Sequence, residues 1–449
     1  MKILIPSTPA TGHLNPLLAI ARILVDEGHE IAFLTGSAFR ERIESSGAAF
    51  FALPPSADFD PGDISSVVPE LKNTPPGFGW LRAAFEHVFV DVIPAQHHGL
   101  QQSLRTFPAD VILGDDMFLG VLPMLLQLRK ERKPIVLCGT SVLHWPREDG
   151  APNFVGLPPA TTSAQRAKYG VLAREFEVAV DRPVIDRANH LLTILGANRI
   201  STPVFETMVQ FADASLQLSI PSFEFPREMP SSVDFVGMPP IIPGQVPLPP
   251  WADELDGSRK VVLVTQGTVA NHNFGLLVAS TFAALAHEPD VLVVATAGGR
   301  PIEAIPGRIP SNARVASFLP FEWLLPRVNV LLTNGGYGTV NQAMSFGIPL
   351  VTAGLTEDKA DVNARVAWSG VGIDLATNEP TPEALRKAVR TVLDRPGYGL
   401  RAAELAREFA RIDTRSEILR IINQVVAGKK RMSRARAVVD SRARLIANQ

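Results

Sequence analysis

The chain has 449 residues, of which 46% are hydrophobic and 20% are charged, a balance typical of a folded globular protein rather than a disordered or fibrous one. This length suits about two or three domains. The formal net charge of −2 gives no reason to expect a nucleic-acid-binding protein. The single cysteine excludes a disulfide framework within the chain and any multi-cysteine metal site, and it indicates a reducing compartment.

The amino terminus does not have the pattern of a targeting segment. Pro6 and Pro9 interrupt the apolar start over residues 1–5, whereas a secretory signal needs about 7–15 unbroken apolar residues. No stretch approaches the roughly 18 apolar residues of a membrane span. We therefore expect a cytoplasmic protein without a transmembrane segment. Peripheral membrane contact stays open, and the oligomeric state is not indicated.

The first residues predict a strand, a helix and a second strand. Residues 2–5 form an apolar run of strand type, 6–16 contain small and polar residues typical of a loop, and 17–27 show apolar residues at helical spacing. Gly28 ends the predicted helix, and Glu30–Thr35 is the next predicted strand. This order implies a parallel sheet.

Two further apolar runs, at 108–114 and 134–140, also predict buried strands. The second contains Cys138, which we interpret as a buried strand residue rather than a nucleophile. Nine prolines then crowd into residues 221–250 without helical periodicity. We interpret 221–258 as a proline-rich linker between two domains.

The alternating pattern starts again after the linker. Strands are predicted at 260–265, 291–296, 328–333 and 349–353, with helices at 274–286 and 340–346. The chain is therefore predicted to be an α/β protein with two doubly wound, Rossmann-like domains, at 1–220 and 259–427. Residues 428–449 form a basic tail with a formal charge of +6, which leaves −8 on the rest of the chain. We interpret this tail as a flexible, solvated extension rather than an anchor for an anionic membrane or a nucleic acid.

The sharpest motif is a glycine-rich turn between the predicted strand 328–333 and the helix that follows it. Its sequence is Asn334-Gly335-Gly336-Tyr337-Gly338-Thr339. Such a turn presents backbone N–H groups and the positive end of a helix dipole to an anion. It is neither a Walker loop nor the dinucleotide fingerprint, because the lysine of the first and the glycine spacing of the second are missing. Taken alone, it fits a phosphate-binding loop and a tight structural turn equally well.

The sequence around this turn resembles the nucleotide-sugar signature of family 1 glycosyltransferases, which have the GT-B fold. The matching segments, in the order of that family, are 318–326, the glycine-rich turn, Gly347-Ile348-Pro349, Glu357-Asp358-Lys359 and Asn363-Ala364. Gly12-His13-Leu14-Asn15-Pro16 and Gly28-His29 resemble the acceptor-binding domain of the same family. The resemblance implies two Rossmann-like domains facing a cleft, with the acceptor bound by 1–220 and the nucleotide sugar by 259–427.

The resemblance also implies the residues of the donor site. The diphosphate loop would consist of Asn334, Gly335, Gly336, Gly338 and Thr339, and a second turn facing the phosphates would contain Gly267 and Thr268. The ribose contact would be Gln342, and the contacts to the sugar would be Asp358 and Lys359. The aromatic residues beside the base would be Phe318 and Phe321. Phe318 could stack on the base or be a buried core residue.

Four of these positions depart from the family pattern. Asn334 replaces a histidine beside the diphosphate, and an amide donates a hydrogen bond without carrying charge. Gln342 replaces a glutamate on the ribose, which leaves UDP- and TDP-linked donors equally open. Lys359 and Phe321 both replace glutamines. The lysine weakens an inference that the sugar is glucose.

His13 is the candidate catalytic base. It follows the first strand, at the carboxyl edge of a parallel sheet, where doubly wound folds bind their ligands. An imidazole suits the deprotonation of a hydroxyl at neutral pH, and a carboxylate would stabilise its cation. Asp115, at the end of a predicted strand, best matches the family position for that carboxylate, and Asp116 is a near rival. Either acid could instead be a helix cap.

No metal site is predicted. Asp58-Phe59-Asp60 fits an Asp-x-Asp pattern, but it lies among prolines and glycine and is interpreted as a solvated loop. His97-His98 has no partner at metal-ligand spacing. No cofactor is expected apart from the nucleotide sugar, which is a co-substrate.

These observations predict an inverting, metal-independent glycosyltransferase that moves a sugar from a UDP- or TDP-sugar to a hydroxyl of a small apolar acceptor of natural-product, sterol or lipid type. The apolar stretches 85–93 and 118–126 could line the acceptor site or belong to the core. Two alternatives remain open: a non-hydrolysing sugar-nucleotide epimerase of the same architecture, and a non-catalytic nucleotide-sugar-binding protein.

Overall fold

The computed structural model describes residues 1–59, 68–72, 74, 77–241, 246–267 and 273–428. Two parallel β-sheets with helices around them make up these residues. The basic tail from residue 429 onwards lies outside the described residues. The fold class predicted from the sequence is confirmed.

The first sheet has seven parallel strands in the order β3-β2-β1-β4-β5-β6-β7. The strands are β1 (Lys2–Pro6), β2 (Glu30–Thr35), β3 (Ala49–Ala52), β4 (Val111–Asp115), β5 (Ile135–Gly139), β6 (Ala214–Gln217) and β7 (Val233–Phe235). Successive residues of β1 pack into different cores, Ile3 and Ile5 on one face of the sheet and Leu4 on the other. The continuous apolar runs in the sequence follow from this burial of both faces.

The second sheet has six parallel strands in the order β10-β9-β8-β11-β12-β13. The strands are β8 (Lys260–Thr265), β9 (Val291–Thr296), β10 (Ala313–Ala316), β11 (Val330–Thr333), β12 (Leu350–Thr352) and β13 (Gly372–Asp374). Both sheets therefore share the doubly wound order in which the chain reverses direction across the sheet after its first three strands.

Helices cover both sheets. They are α1 (Thr11–Asp26), α2 (Arg40–Glu44), α3 (Phe78–Ala84), α4 (Ile93–Thr106), α5 (Leu122–Leu125), α6 (Ser163–Phe176), α7 (Arg182–Ile194), α8 (Val204–Phe211), α9 (Ser280–Leu285), α10 (Phe321–Leu324), α11 (Tyr337–Ser345), α12 (Lys359–Ser369), α13 (Pro382–Asp394), α14 (Pro396–Phe409) and α15 (414–428). Short π-helical segments, Phe85–Val90, Glu177–Asp181 and Gly275–Ala279, adjoin α3, α6 and α9. No helix within the described ranges is long and apolar enough to cross a bilayer.

Helix α1 begins earlier than the sequence pattern predicts. Residues 6–16 are predicted as a loop, but the helix starts at Thr11 and includes both His13 and Pro16. Pro16 lies near the start of the helix, where its missing N–H removes a single backbone hydrogen bond. The candidate base therefore lies on the first turn of a helix rather than in a loop.

Two segments belong to the first domain although the sequence pattern placed them elsewhere. Strand β7 falls inside the predicted linker 221–258, yet it pairs with β6 at the edge of the first sheet. Helix α15 falls inside the predicted donor domain 259–427, yet its Ile418 and Ile422 pack into the core beneath β1 and α1. A strand of three residues is too short to show periodicity, and an apolar helix stripe does not encode which domain it covers.

The switch point of each sheet, where the strand order reverses, lies between β1 and β4 in the first sheet and between β8 and β11 in the second. Doubly wound proteins bind ligands in the crevice outside the carboxyl ends of these strands. The segment after β1 leads to His13, and β4 ends at Asp115. The glycine-rich turn follows β11. Each sheet thus places one of the predicted motifs at its switch point.

Candidate active site

His13 and Asp115 meet at the switch point of the first sheet. The Nδ1 atom of His13 lies 3.0 and 2.9 Å from the two carboxylate oxygens of Asp115. Of the two acids that the sequence left as rivals, Asp115 is therefore the one that contacts the imidazole. Asp115 is the last residue of β4 and is fully buried, while His13 keeps 20% of its side-chain surface exposed.

The Asp115 carboxylate is held by backbone donors as well as by the imidazole. The amides of Thr8 and Met117 donate to it, each at 2.9 Å. Burial would raise the pKa of Asp115, but the charge and hydrogen bond of His13, with these amides, lower it to about 2. The acid is therefore ionised at neutral pH.

The pKa of His13 is raised to about 9. Burial of the ring lowers it, but the charge and hydrogen bond of Asp115, together with the charges of Asp116 and Asp358, raise it by more. His13 therefore carries a proton at neutral pH and becomes a strong base once that proton is lost. Because Nδ1 is engaged by Asp115, Nε2 remains for a proton from outside the pair, and no residue among those described hydrogen-bonds it.

Asp116 and Thr140 complete this cluster, and Thr140 is a residue that the sequence reasoning missed. The hydroxyl of Thr140 lies 3.0 Å from His13 Nδ1 and 2.9 Å from the Asp116 carboxyl, and the amide of Thr140 donates to the same carboxyl at 3.1 Å. Burial and the neighbouring Asp115 charge raise the pKa of Asp116 to about 8. Thr140 directly follows β5. The rule that doubly wound folds bind ligands at the carboxyl ends of their strands, which pointed to His13, could therefore also have pointed to Thr140.

The glycine-rich turn at the other switch point shares a pattern with the turn after β8. Thr265 and Thr333 are paired across β8 and β11. Each threonine hydroxyl accepts a hydrogen bond from the glycine amide two residues further on, Gly267 at 3.1 Å and Gly335 at 3.4 Å. Both glycines have positive φ, 71° and 100°, so both turns use a conformation that favours glycine. Thr268 lies outside the described residues.

Two side-chain amides, the half-buried one of Asn334 and the buried one of Asn363, hold the glycine-rich turn in place. Asn334 donates from Nδ2 to the carbonyl of Gln266 at 2.9 Å, which ties this turn to the turn after β8. Asn363 donates to the carbonyl of Gly354 at 2.9 Å and fills the space beside Gly335. A Cβ atom on Gly335 would lie 1.9 Å from Asn363 Oδ1, so only glycine fits there. The Asn334 side chain is therefore occupied in supporting the backbone.

Helix α11 begins directly after this turn, three residues before its predicted start. Gly336 is its N-cap, and Gly338 and Thr339 lie in its first turn. The first N–H groups of a helix have no acceptor inside it, so together with the helix dipole they are able to bind an anion. Gln342 lies one turn further along, half-buried, and its side-chain amide has no hydrogen-bond partner among the described residues.

The remaining predicted donor residues lie around the same edge of the second sheet. Phe318 is 55% exposed, which excludes the alternative that it is a buried core residue, and its ring packs against the backbone of Gly299. Phe321 begins α10 and packs partly against the core of the second domain. Lys359 is buried, pairs with Glu357, and has its pKa lowered to about 8 by burial.

Contacts between the domains join the carboxyl edges of the two sheets. Asp358, the N-cap of α12, accepts a hydrogen bond from Ser141 at 2.7 Å, and burial raises the pKa of Asp358. Gln217 at the end of β6 donates to the Tyr337 hydroxyl at 2.6 Å. No pattern in the sequence pointed to these contacts, because they join residues more than 100 positions apart. The candidate base therefore lies beside a residue that the resemblance assigns to the donor sugar.

The remaining polar motifs have structural partners. Asp58 accepts the amide of Ser37 at 3.1 Å, and Asp60 lies outside the described residues. His97 bonds the carbonyl of Gly120 at 3.0 Å through Nδ1. In the part of the chain that the structure describes, no three His, Cys, Asp or Glu side chains are arranged to hold a metal ion. Cys138 is buried in β5, as predicted, and burial raises the pKa of its thiol.

Comparison with known proteins gives consistent matches. The family model described as erythromycin biosynthesis protein CIII-like, C-terminal domain, matches residues 281–425. The 4'-demethylrebeccamycin synthase of Lentzea aerocolonigenes is 38% identical over 95% of this chain and 99% of its own length. The UDP-glycosyltransferase 2 of Phaeomoniella chlamydospora is 36% identical over 95% of this chain and 96% of its own length. Among solved structures, the calicheamicin glycosyltransferase CalG4 superposes with a TM-score of 0.70 at 21% identity, covering 95% of this chain and 98% of that one.

Proposed function

We propose that this chain, which belongs to the UDP-glycosyltransferase family and has the GT-B fold, is an inverting and metal-independent enzyme that glycosylates a hydroxyl of a small apolar acceptor. The observation that carries the proposal is the His13–Asp115 pair at one switch point, facing the glycine-rich turn at the other. A paired imidazole supplies a base for an acceptor hydroxyl, and a helix N-terminus supplies a site for a diphosphate.

His13 takes the proton of the acceptor hydroxyl on Nε2 as the oxygen attacks the anomeric carbon of the donor sugar. The nucleotide diphosphate leaves from the opposite face, so the configuration at that carbon inverts. Asp115 keeps the proton of the neutral ring on Nδ1 and stabilises the imidazolium that forms, through the contact at 2.9 Å. The new glycosidic bond replaces the bond to the diphosphate, and the proton ends on His13.

The leaving diphosphate gains negative charge, and the second domain offers groups that would stabilise it. The free amides of the first turn of α11 and the hydroxyl of Thr339 are arranged around Gly336. Fixed donors of this kind stabilise developing charge without a metal ion. We therefore expect transfer to continue at an unchanged rate in excess EDTA, and a loss that Mg²⁺ restores would contradict metal independence.

The donor would be a UDP- or TDP-linked sugar. Gln342 lies where the family contacts the ribose, and a neutral amide can serve ribose and deoxyribose alike. Lys359 and Asp358 would contact the sugar hydroxyls, and Phe318 is exposed enough to stack on the base. Calorimetric titration with UDP and TDP measures this site directly.

The catalytic role of His13 is tested by His13→Ala. Loss of a general base lowers the rate on the order of 10²–10⁴-fold, while the affinity for UDP or TDP should stay unchanged because the nucleotide binds the other domain. His98→Ala removes an exposed histidine of α4 and is the matched control. Transfer at the normal rate by the His13 variant would show this mechanism to be wrong.

A product screen separates the proposal from its alternatives. Several UDP- and TDP-sugars are incubated with a panel of hydroxylated natural products, sterols and lipids, and the products are identified by mass spectrometry. A glycosylated acceptor supports the transferase, and NMR of its anomeric proton shows whether the configuration has inverted. An isomerised donor would support an epimerase, and nucleotide binding without turnover would support a binding protein.

A further inference from the structure

His144 is a buried histidine that the proposed mechanism does not use. It lies in the segment after β5, four residues beyond Thr140, whose hydroxyl contacts His13. Its side chain is only 3% exposed, and neither ring nitrogen has a hydrogen-bond partner among the described residues. A buried polar group left without a partner costs about 1–3 kcal/mol. Two such atoms on one ring indicate that a partner arrives from outside the chain.

The charge state of His144 suits recognition of a neutral group. Burial, followed by the positive charges of Arg227, Arg365 and His13, lowers its pKa to about 3. The ring is therefore neutral at working pH, with one nitrogen as a donor and the other as an acceptor.

The surroundings of His144 are aromatic. Its ring stacks on Phe154 with 4.8 Å between centroids and 16° between planes, and it lies 5.2 Å from the ring of Phe205. Phe85 contacts both phenylalanines edge-on, at 4.8 and 5.3 Å. Aromatic rings favour other aromatic rings in offset or edge-to-face contact. The imidazole is thus the polar member of an aromatic cluster, four residues beyond the threonine that contacts the candidate base.

Phe154 is held over His144 from the other domain. Both oxygens of Asp361, on the first turn of α12, accept backbone amides of this loop, those of Phe154 and Gly156, each at 2.7 Å. Phe154 has φ of 69°, a left-handed conformation that a non-glycine residue adopts at a cost when its surroundings enforce it. Gly156 packs so closely on Ala360 that a Cβ atom would lie 2.9 Å from the alanine methyl.

We propose that His144 is an acceptor-binding residue, which hydrogen-bonds a hydroxyl or N–H group of an aromatic acceptor, and that Phe154 covers this site under the control of Asp361. The inference rests on the proposed transferase function and adds the class of acceptor. Since Asp361 belongs to the helix that begins beside the donor-sugar residues, separation of the domains releases the cover and exposes the imidazole. Asp361 is therefore a positioning residue, which acts on the site through Phe154.

The test compares two probes that differ by one hydroxyl, 2-naphthol and 2,7-dihydroxynaphthalene, with a donor that supports turnover. One hydrogen bond of about 1.4 kcal/mol corresponds to a tenfold preference of the wild type for the diol in kcat/KM. His144→Phe should erase that preference, leave the donor KM unchanged and leave Tm equal or higher. His144→Gln, which can still hydrogen-bond, should restore part of it. The diol has two hydroxyls that can accept the sugar, but this factor is the same in every variant. It therefore cancels when the preference of a variant is compared with that of the wild type.

Two further measurements complete the design. Asp361→Asn should raise the KM of both naphthols without a proportional fall in kcat, and the preference for the diol should remain. A general loss of stability would not produce this combination of effects. His98→Phe is the matched exposed control. A preference that survives His144→Phe would overturn the role of His144 and leave a histidine that only water satisfies. Turnover of other hydroxylated compounds but of neither naphthol would overturn the aromatic class alone, whereas no glycosylated product from any acceptor would remove the proposed function itself.

Discussion

The two switch points of this molecule have the same topology but opposite chemistry. At the first, the proposed mechanism uses side chains: His13, Asp115 and Asp116 form a partly buried cluster whose pKa values are moved far from their ordinary values. At the second, it uses the backbone: the first amides of α11 follow the N-cap Gly336, and the side chains of Asn334 and Asn363 support the turn. One strand order thus serves two purposes, since the ligand groups come from the loops and not from the sheet.

The difference follows from what the proposed mechanism requires of each half. Proton transfer needs a titratable group whose pKa is set by its neighbours, which requires burial and charge. Anion binding needs several fixed N–H donors, which requires glycine and a helix end. Substitutions at the first switch point should therefore change rate and pH dependence, and substitutions at the second should change affinity and stability. The following predictions test this division.

The largest effect is expected for Asp115→Asn. The imidazolium that forms during transfer loses its counter-ion, so the limiting rate should fall on the order of 100-fold or more, while UDP affinity stays unchanged. Without that carboxylate the pKa of His13 falls from about 9 towards its ordinary 6.5. The acidic limb of the kcat/KM profile should therefore move to lower pH. A reduced rate with an unmoved limb would show that Asp115 does not set the pKa of His13.

The wild-type cluster should give activity and stability opposite dependences on pH. Transfer needs neutral His13, so kcat/KM should rise as pH increases towards about 9. The folded-state pKa of His13 lies above its ordinary value, so its contribution to stability is complete below about pH 6.5 and is lost as pH rises through about 9. Asp115, whose pKa is lowered to about 2, loses its contribution only in acid. Denaturant unfolding at several pH values, with Asp115→Asn as the control, measures the decline above pH 6.5, and a flat profile would contradict the assignment.

At the second switch point, Gly335→Ala and Gly338→Ala form a matched pair. A methyl group on Gly335 would collide with Asn363 at 1.9 Å and force φ away from 100°, whereas one on Gly338 would meet no atom within 4 Å. Overpacking of this kind costs about 1–3 kcal/mol, so Gly335→Ala should lower Tm and weaken UDP binding about tenfold or more. Gly338→Ala should leave Tm equal or slightly higher. Equal effects of the two substitutions would mean that glycine is not required by space at Gly335.

The smallest effect is expected for Gln342→Glu. A charged acceptor strengthens a hydrogen bond by about 1 kcal/mol over a neutral one, so the preference for UDP over TDP should rise about fivefold if the residue contacts the ribose hydroxyls. The quantity to compare is the ratio of the Kd values for TDP and UDP. UDP and TDP also differ in their base, but that difference affects variant and wild type equally and cancels when their ratios are compared. Gln102→Glu on the exposed side of α4 controls for added charge. An unchanged ratio would place Gln342 away from the ribose.

Much of the fold could be predicted from the sequence because strands buried on both faces are continuous apolar runs. The ranges Glu30–Thr35, Lys260–Thr265 and Val291–Thr296 match the predicted strands at both ends. Their parallel order follows from alternation with helices. The start of α1 was missed because Gly12 and Pro16 are loop formers by propensity, and tertiary packing overrides propensity.

The candidate site was predictable only where a motif or a strand end marks it. His13 and the glycine-rich turn follow strands, and Asp115 is the last residue of one, at the carboxyl edges of the sheets. The resemblance favoured Asp115 over Asp116, but only the structure shows that Asp115 is the acid that contacts the imidazole, because a sequence does not indicate where each of two adjacent side chains points. The contacts of Ser141 with Asp358 and of Phe154 with Asp361 join distant parts of the chain. Local periodicity carries no information about such pairs.

The return of α15 to the first domain makes the polypeptide cross between the two halves twice. One crossing follows β7, and the other lies between α14 and α15, where Arg415 pairs with Glu27. Two such connections would permit one domain to rotate about the line that joins them, and they would oppose sliding or complete separation of the domains. The proposed binding of a sugar nucleotide and an acceptor would then need only a rotation that opens the cleft, and the two switch points would return to the same alignment when it closes.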